Sequence, residues 1–183
     1  DGSPFHRSLF LTAGQDGSVR IYHVLEAVPL LQWEPTPPPD MAPSSSSDAQ
    51  GSSFGAITAA RFSPIRPCVF VACSSDGFVY LFDLSQSTSG PVSILQADSG
   101  ADTGARGSGS RGSGREGVPA RPAFTDVCFN ARQRDLLAAS DKFGRVHTWR
   151  LGWSLSNRQM DDQRVLDDVG MLTSTEEDDV DKA

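Results

Sequence analysis

The stretch VFVACSSDGFVYLFDL at residues 69–84 decides the fold of this chain. Two apolar runs flank the polar turn SSDG, in which the glycine can adopt a positive φ without steric cost. This pattern is typical of two antiparallel strands joined by a tight turn. It occurs twice more, as LFLTAGQDGSVRIYHV at 9–24 and as LLAASDKFGRVHTWRL at 136–151. Three copies in one register indicate a structural repeat.

The three copies share a set of signature positions. A glycine closes each turn, a valine follows two residues later, and an aromatic residue stands three residues after the valine. The signature residues are Asp16, Gly17, Tyr22, Asp76, Gly77, Phe82, Asp83, Gly144 and Trp149. Residues 57–84 align with 124–151 at a shift of 67, and the first copy is offset from the second by 60. Without two low-complexity insertions the repeat is about 40 to 45 residues long, the length of a propeller blade.

The run FVYLFD at 78–83 favours a propeller for a second reason. It is apolar on both faces, as expected for a sheet that is covered by a neighbouring sheet on each side. A helix is excluded because the 3.6-residue apolar spacing is absent and Gly or Pro interrupts every run. The predicted fold class is all-β: about three blades of a larger β-propeller. Since closed propellers need about four to eight blades, we expect that these 183 residues are not independently stable.

Composition divides the chain into six predicted segments. Long Pro/Ser-rich and Gly/Ser/Arg-rich runs bury too little apolar surface to offset chain entropy, so we expect them to be disordered. The segments are a partial blade with strands b, c and d (1–34), a disordered insertion (35–53), a complete blade (54–97), a second disordered insertion (98–122), the last blade (123–156) and an acidic disordered tail (157–183). The expected strands of the complete blade are a (57–62), b (69–73), c (78–83) and d (91–95), with an earlier edge strand at 29–33.

Charge and cysteine content narrow the functional class. The net charge of −7 comes from residues 161–183, so the rest of the chain is neutral and offers no broad basic face for nucleic acid. No apolar run is long enough to cross a bilayer, and we expect no membrane insertion. Three cysteines, Cys68, Cys73 and Cys128, have no CxxC spacing. Because Cys73 and Cys128 fall inside apolar strands, we expect both to act as small hydrophobic residues in a reducing, intracellular compartment.

No catalytic or cofactor site is predicted. His6, His23 and His147 lack metal-ligand spacing. The glycine-rich run at 107–115 lacks the Lys-Ser/Thr ending of a phosphate-binding loop. A propeller enzyme would need convergent carboxylates or a nucleophile–base pair at the central channel, and the strands supply neither. The expected protein is a non-enzyme without cofactor or metal.

The repeat resembles the WD-repeat family. The dipeptide Phe82-Asp83 stands at the Trp-Asp position of that family, and Tyr22-His23 and Trp149-Arg150 are degenerate versions of it. The Gly-His dipeptide that usually opens a repeat is absent. The third copy also lacks the turn aspartate, because Phe143 precedes Gly144. The resemblance implies a seven-bladed ring whose hydrogen-bond network is incomplete in the first and third blades.

A narrower resemblance lies in RFSPIRPCVF at 61–70, followed by DG at 76–77 and LFDL at 81–84. These runs, with SLFLTAG at 8–14 and LEAVPL at 25–30, are similar to the intermediate chains of dynein, above all those of cytoplasmic dynein 2. The resemblance implies a non-catalytic motor subunit of retrograde intraflagellar transport, located in the cytoplasm, the cytoskeleton and the cilium or flagellum (axoneme, basal body). The implied partners are the dynein heavy chain and other intermediate and light chains, the light-chain segment lying outside this chain. An axonemal dynein intermediate chain and a generic WD-repeat adaptor, such as a ubiquitin-ligase substrate receptor, stay open as alternatives.

Three arginines are the candidate contacts of such a partner. Arg66 lies in the loop between strands a and b of the complete blade, and Arg132 and Arg134 lie in the same loop of the last blade. Loops of this type are short and lie on one rim of a propeller. We therefore expect these arginines to pair with acidic groups of the heavy-chain tail. The alternative is ordinary solvated loop charge, since exposed ion pairs are weak.

Overall fold

Strands dominate the computed structural model, which describes residues 1–37, 55–97 and 122–172. In these ranges there are ten strands and two short helices. The strands are β1 (Leu9–Ala13), β2 (Val19–His23), β3 (Leu31–Trp33), β4 (Ile57–Phe62), β5 (Val69–Ser74), β6 (Phe78–Asp83), β7 (Ser93–Gln96), β8 (Phe124–Phe129), β9 (Leu136–Asp141) and β10 (Val146–Arg150). The helices are α1 (Trp153–Ser156) and α2 (Asp162–Gly170).

The strands form three antiparallel sheets, each of which is one blade. Blade 1 has the order β1-β2-β3, blade 2 has β4-β5-β6-β7 and blade 3 has β8-β9-β10. The predicted strands a, b and c of blade 2 are confirmed. The two predicted edge strands are also present but begin at Leu31 and Ser93, after the prolines at 29 and 91, which have no N–H to donate to a ladder. The fold is a partial WD-repeat propeller of three blades, as predicted.

The glycine in each b–c turn is required by the backbone. Gly17, Gly77 and Gly144 have φ values of 83°, 86° and 78°. Within the described ranges, no residue other than glycine has a positive φ. Because a Cβ atom crowds the backbone in this region, the repeated glycine is a condition for the tight turn between strands b and c.

Blade 2 is covered on both faces, and every residue of β5 and β6 is buried. Towards blade 1, the rings of Phe70 and Phe82 stack with centroids 4.5 Å apart, and the Trp33 ring of β3 lies 5.3 and 5.4 Å from them. Towards blade 3, Val71 and Leu81 share an apolar cluster with residues of β8 and β9, among them Val127 and Leu137. The expected burial of both faces of strand c is confirmed.

The outer faces of the end blades lack such cover in the described residues. On blade 1, Phe10 and Tyr22 repeat the aromatic stack of blade 2 at 5.3 Å but are only half-buried. On blade 3, Val146 is 67% exposed, whereas its counterpart in blade 2, Val79, is fully buried. Cys128 lies on this open face and is exposed, so the expectation that it is a buried small hydrophobic residue is wrong.

The first three residues pair with β1 in the position of strand a. The backbone N–H of Leu11 donates to the carbonyl oxygen of Asp1 at 2.8 Å, and that of Ser3 donates to Leu9 at 2.9 Å. At the repeat offset of 60, residues 1–3 correspond to 61–63, where β4 ends. Blade 1 therefore contains the end of an inner strand in addition to the predicted strands b, c and d.

The prediction of disorder at 157–183 is wrong for the first part of that segment, which contains a helix. Helix α2 lies within 157–183, and Leu166 and Val169 are buried in the apolar cluster shared by blades 1 and 2. The prediction failed because it used the acidic charge of the segment and overlooked the three-residue spacing of these two apolar side chains. Residues 38–53, 98–121 and 173–183, on which the other disorder predictions fall, lie outside the described residues. Within the described ranges, no helix is long and apolar enough to cross a bilayer.

Candidate partner-binding rim

The loops between strands a and b form one rim of the three blades. In blade 2, the hydroxyl oxygen of Ser63 accepts hydrogen bonds from the backbone N–H groups of Ile65 (3.2 Å) and Arg66 (3.1 Å). Ser3 accepts the equivalent bonds in blade 1, and Asn130 accepts them in blade 3 at 2.8 and 2.9 Å. A side chain that caps its own turn replaces missing ladder hydrogen bonds. The rim loops therefore share one geometry.

Arg66 is fully buried on this rim and lies between two carboxylates. Its Nη1 atom donates to Asp83 Oδ2 at 2.7 Å. Its Nε and Nη2 atoms donate to the two oxygens of Asp162 at 3.0 and 2.7 Å. The hydroxyl of Ser85, at 3.0 Å, and the carbonyl oxygen of Ser154 accept further bonds from the guanidinium. This arrangement uses the planar fork of arginine, which lysine does not have.

The two carboxylates are themselves held in place. The backbone N–H and hydroxyl of Ser85 donate to Asp83 at 3.0 and 2.6 Å, and Gln86 donates from its amide at 2.6 Å. The backbone N–H of Gln159 donates to Asp162 at 2.9 Å. Burial alone would raise the pKa of Asp162, but the hydrogen bonds from Arg66 and Gln159 outweigh it and lower the pKa below its usual value. Burial likewise opposes the charge of Arg66, and the two aspartates outweigh it and raise its pKa.

The prediction that Arg66 belongs to an exposed contact rim is therefore wrong. The sequence places Arg66 in a rim loop, but Asp162, 96 residues later, covers it. A buried guanidinium with both flanks paired has no face for a partner while α2 is in place. The structure thus separates Arg66 from the other two arginines with which it was grouped.

Arg132 and Arg134 are exposed in the loop between β8 and β9. Neither of them forms an ion pair with another described residue. An apolar groove of about 420 Å³ lies beside Arg132. Its lining residues are Cys128, Phe129, Asn130, Ala131, Arg132, Leu136 and Ala138. These two arginines stay a predicted contact, and their exposure is compatible with it.

The other blades carry different residues where blade 2 has its ion pair. At the repeat offset of 60, His6 and His23 of blade 1 correspond to Arg66 and Asp83, and their ring centroids are 6.4 Å apart. In blade 3, Arg150 has the position of Asp83 and pairs with Asp135 at 2.9 Å. Among the described residues there is no group of three or more His, Cys, Asp or Glu side chains placed to hold a metal ion.

The signature aspartates stabilise the b–c turns. Asp16 accepts bonds from the backbone N–H (3.1 Å) and hydroxyl (2.6 Å) of Ser18, and these bonds lower its pKa to about 2. Asp76 accepts a bond from the backbone N–H of Gly55 at 3.0 Å, which ties the turn to the start of strand a. The remaining signature residues are the turn glycines, the stacked Tyr22 and Phe82, Asp83, which pairs with Arg66, and Trp149, which packs edge-to-face on Phe124 at 5.9 Å. Their contacts are structural.

In blade 3, Asp141 stabilises the b–c turn, which lacks the signature aspartate. It accepts bonds from the backbone N–H groups of Phe143 (2.8 Å) and Arg145 (3.0 Å), and its other oxygen lies 3.1 Å from Nε2 of His147. Burial would raise the pKa of Asp141, but these bonds outweigh it and lower the pKa well below its usual range. The expectation of an incomplete network in blade 3 is thus wrong at this turn, because Asp141 accepts the bond from Arg145, whose counterpart Ser18 donates to Asp16 in blade 1.

Sequence reasoning missed Asp162 and Asp141 as structural residues. Asp162 lies outside the three repeat copies, and Asp141 lies in the third copy but is not a signature position. The one usable signal was the apolar spacing of Leu166 and Val169 in the acidic segment. It predicts a helix with one buried face, although it does not say what that face packs against.

Comparison with characterised proteins gives one consistent group of relatives. The chain is 34% identical to mouse cytoplasmic dynein 2 intermediate chain 2 over 171 residues, which is 93% of this chain and 24% of that protein. The human protein of the same name is 32% identical over 90% of the chain. Human cytoplasmic dynein 2 intermediate chain 1 is 38% identical over 96 residues, 52% of the chain and 8% of that protein. No protein-family profile matches the chain. The chain spans about a quarter of the length of the two intermediate chain 2 relatives.

Proposed function

Because this stretch of chain is homologous to the intermediate chains of cytoplasmic dynein 2, we propose that it forms propeller blades of an intermediate chain of that motor. The observation that supports this most is the 34% identity over 93% of the chain, which includes all three blades. The relatives named above are dynein 2 chains, which favours this assignment over an axonemal intermediate chain and over a generic adaptor. The proposed role is non-catalytic.

In this proposal the protein works in retrograde intraflagellar transport. It would be located in the cytoplasm and at the cytoskeleton of the cilium, and its propeller would bind the tail of the dynein heavy chain. Other intermediate and light chains would be bound elsewhere in the same complex. These finer statements come from the family resemblance and from the names of the relatives.

The proposed heavy-chain contact is the loop that carries Arg132 and Arg134. The side chain of Asn130 caps this loop at 2.8 and 2.9 Å, so the two cations project from a fixed backbone. They are exposed and unpaired within the described residues. An acidic segment of a partner could bind them without breaking an existing ion pair, and the adjoining apolar groove offers a surface for an apolar side chain.

Affinity purification of the full-length protein, with mass spectrometry of the proteins that co-purify, tests both parts of this proposal. We expect a dynein heavy chain of ciliary transport among them, and a loss of at least fivefold in its recovery for the double variant Arg132→Glu and Arg134→Glu. The matched control is Lys142→Glu, which reverses an exposed charge at the opposite end of β9. Absence of any dynein heavy chain would overturn the motor assignment. Unchanged recovery with the double variant would overturn only the contact.

A further inference from the structure

Helix α2 occupies the rim of blades 1 and 2. Its first turn carries Asp162, which binds Arg66, and its buried side chains Leu166 and Val169 join the apolar cluster that contains Phe62. At its other end a Cβ atom on Gly170 would lie 2.8 Å from the His6 ring. The helix therefore follows the rim from the a–b loop of blade 2 to that of blade 1.

The sequence of α2 is poorly suited to form a helix alone. It has nine residues, and isolated helices shorter than about 12 to 15 residues are marginal in water. No side chain caps its N-terminus, and its last turn carries Asp167 and Asp168 at the negative end of the helix dipole. Its helical state therefore depends on its contacts with the rim.

Those contacts are few and can be exchanged. Leu166 and Val169 of α2 are buried and Val165 is partly buried against the same cluster. The main polar contact is a buried ion pair, which is a weak source of net stability because both ions are desolvated. When α2 leaves, Arg66 keeps Asp83, while its Nε atom and one Nη2 donor lose their acceptor. The vacated rim then presents unpaired guanidinium donors next to apolar surface.

We propose that α2 is a releasable latch, and that the groove beneath it binds an acidic amphipathic helix of a partner protein in its place. The contacts of α2 define the chemistry of that helix: a carboxylate at the position of Asp162, followed by apolar side chains four and seven residues later, where Leu166 and Val169 stand. When α2 is bound to the rim, it excludes the partner helix. When α2 is released, the partner helix can bind to the a–b loops of blades 1 and 2.

The three cysteines distinguish latch opening from global unfolding. Cys68 is buried under α2, where its thiol donates to the carbonyl oxygen of Asp162 at 2.9 Å, and burial raises its pKa to about 12. Cys73 is buried between blades 2 and 3. Cys128 is exposed. A thiol reagent should therefore modify Cys68 when the latch opens and Cys73 only when the blades separate.

The first experiment is pulsed alkylation of the full-length protein with mass spectrometry of each cysteine. For Asp162→Asn we expect at least a tenfold faster modification of Cys68, with Cys73 and Cys128 unchanged. Leu166→Ser, which releases the apolar side of α2, should give the same result, and Asp168→Asn on the exposed side of α2 is the control. Equal acceleration of Cys68 and Cys73 would mean global unfolding and would overturn the latch, as would no acceleration in either release variant.

The second experiment tests the partner chemistry with a fluorescent peptide of residues 158–172. We expect saturable binding of this peptide to the full-length Leu166→Ser variant. Binding to the unaltered protein should be at least tenfold weaker, because α2 occupies its groove. Binding of a peptide carrying Asp162→Asn to the Leu166→Ser variant should also be at least tenfold weaker. Equal binding of both peptides would overturn the carboxylate requirement. Absence of binding to the released variant, or dimerisation of that variant through its own α2, would overturn a groove for a separate partner.

Discussion

The Arg66 guanidinium and the Asp162 carboxylate meet through two hydrogen bonds of 3.0 and 2.7 Å across 96 residues of sequence. This pair, together with Asp83, ties the segment after blade 3 back to blade 2. The loop that contains Arg66 therefore stabilises the chain internally. Arg132 and Arg134 on blade 3, in contrast, are exposed and form no ion pair with a described residue.

Replacing Arg66 tests how much the fold depends on this cluster. Arg66→Met would leave two buried carboxylates without a cation, and removing one member of a buried ion pair costs about 3–5 kcal/mol. We expect urea denaturation of the full-length protein to show a loss of this size. Arg66→Lys should recover only part of it, because an ammonium cannot form both forked pairs. Full recovery with lysine would mean that charge alone matters.

The Asp162 pKa predicts how the contribution of the Asp162 carboxylate to the unfolding free energy depends on pH. Its folded pKa is below its ordinary unfolded value of about 3.9, so its contribution to stability is complete above that value and is lost as the pH falls through the folded pKa. We expect the difference in unfolding free energy between the unaltered protein and Asp162→Asn to be constant from pH 5 to pH 7 and to shrink below about pH 4. A difference that grew on acidification would contradict the assigned sign.

The glycine at the b–c turn of blade 3 should be needed for its backbone conformation alone. Gly144 has φ of 78°, and a Cβ atom there would meet no atom within 4 Å. Gly144→Ala should therefore cost about 1–2 kcal/mol, the strain of a left-handed backbone. Gly90→Ala is the matched control, since its Cβ would also be free and its φ is not positive. Thermal denaturation should show a lower Tm for the first variant only.

The two aromatic stacks can test whether the three blades belong to a larger propeller. Phe82 is buried between blades 1 and 2, and Phe82→Ala should cost about 3–5 kcal/mol. Tyr22 has the same repeat position in blade 1 and stacks on Phe10, but it is half-buried within the described residues. In the full-length protein we expect Tyr22→Ala to cost nearly as much as Phe82→Ala, because another blade would cover it. A cost below half as large would indicate an uncovered face.

Much of the fold could be predicted because its signals are local. Strand c of blade 2 is apolar on both faces, Gly77 closes a turn that needs positive φ, and the same spacing recurs at two other sites. Each copy of the pattern is about 16 residues long, so it can be recognised from neighbouring residues alone.

The candidate site could be predicted only in part. The sequence places Arg66, Arg132 and Arg134 in equivalent loops, and that placement is correct. It does not show which arginine remains exposed, because exposure depends on what else reaches the loop. Asp162 likewise acquires its partner Arg66 through the path of the chain, because 96 residues separate the two.

The sequence by itself determined the repeat, the strands, the turns and the family, because alternation of apolar residues and the demands of glycine act over short distances. Only the tertiary structure decided that α2 forms and that Arg66 is buried. A helix of nine residues with an unfavourable charge at its end is marginal by itself, although the spacing of Leu166 and Val169 favours it. It is stabilised by the burial of Leu166 and Val169 and by a carboxylate–guanidinium pair whose members are 96 residues apart.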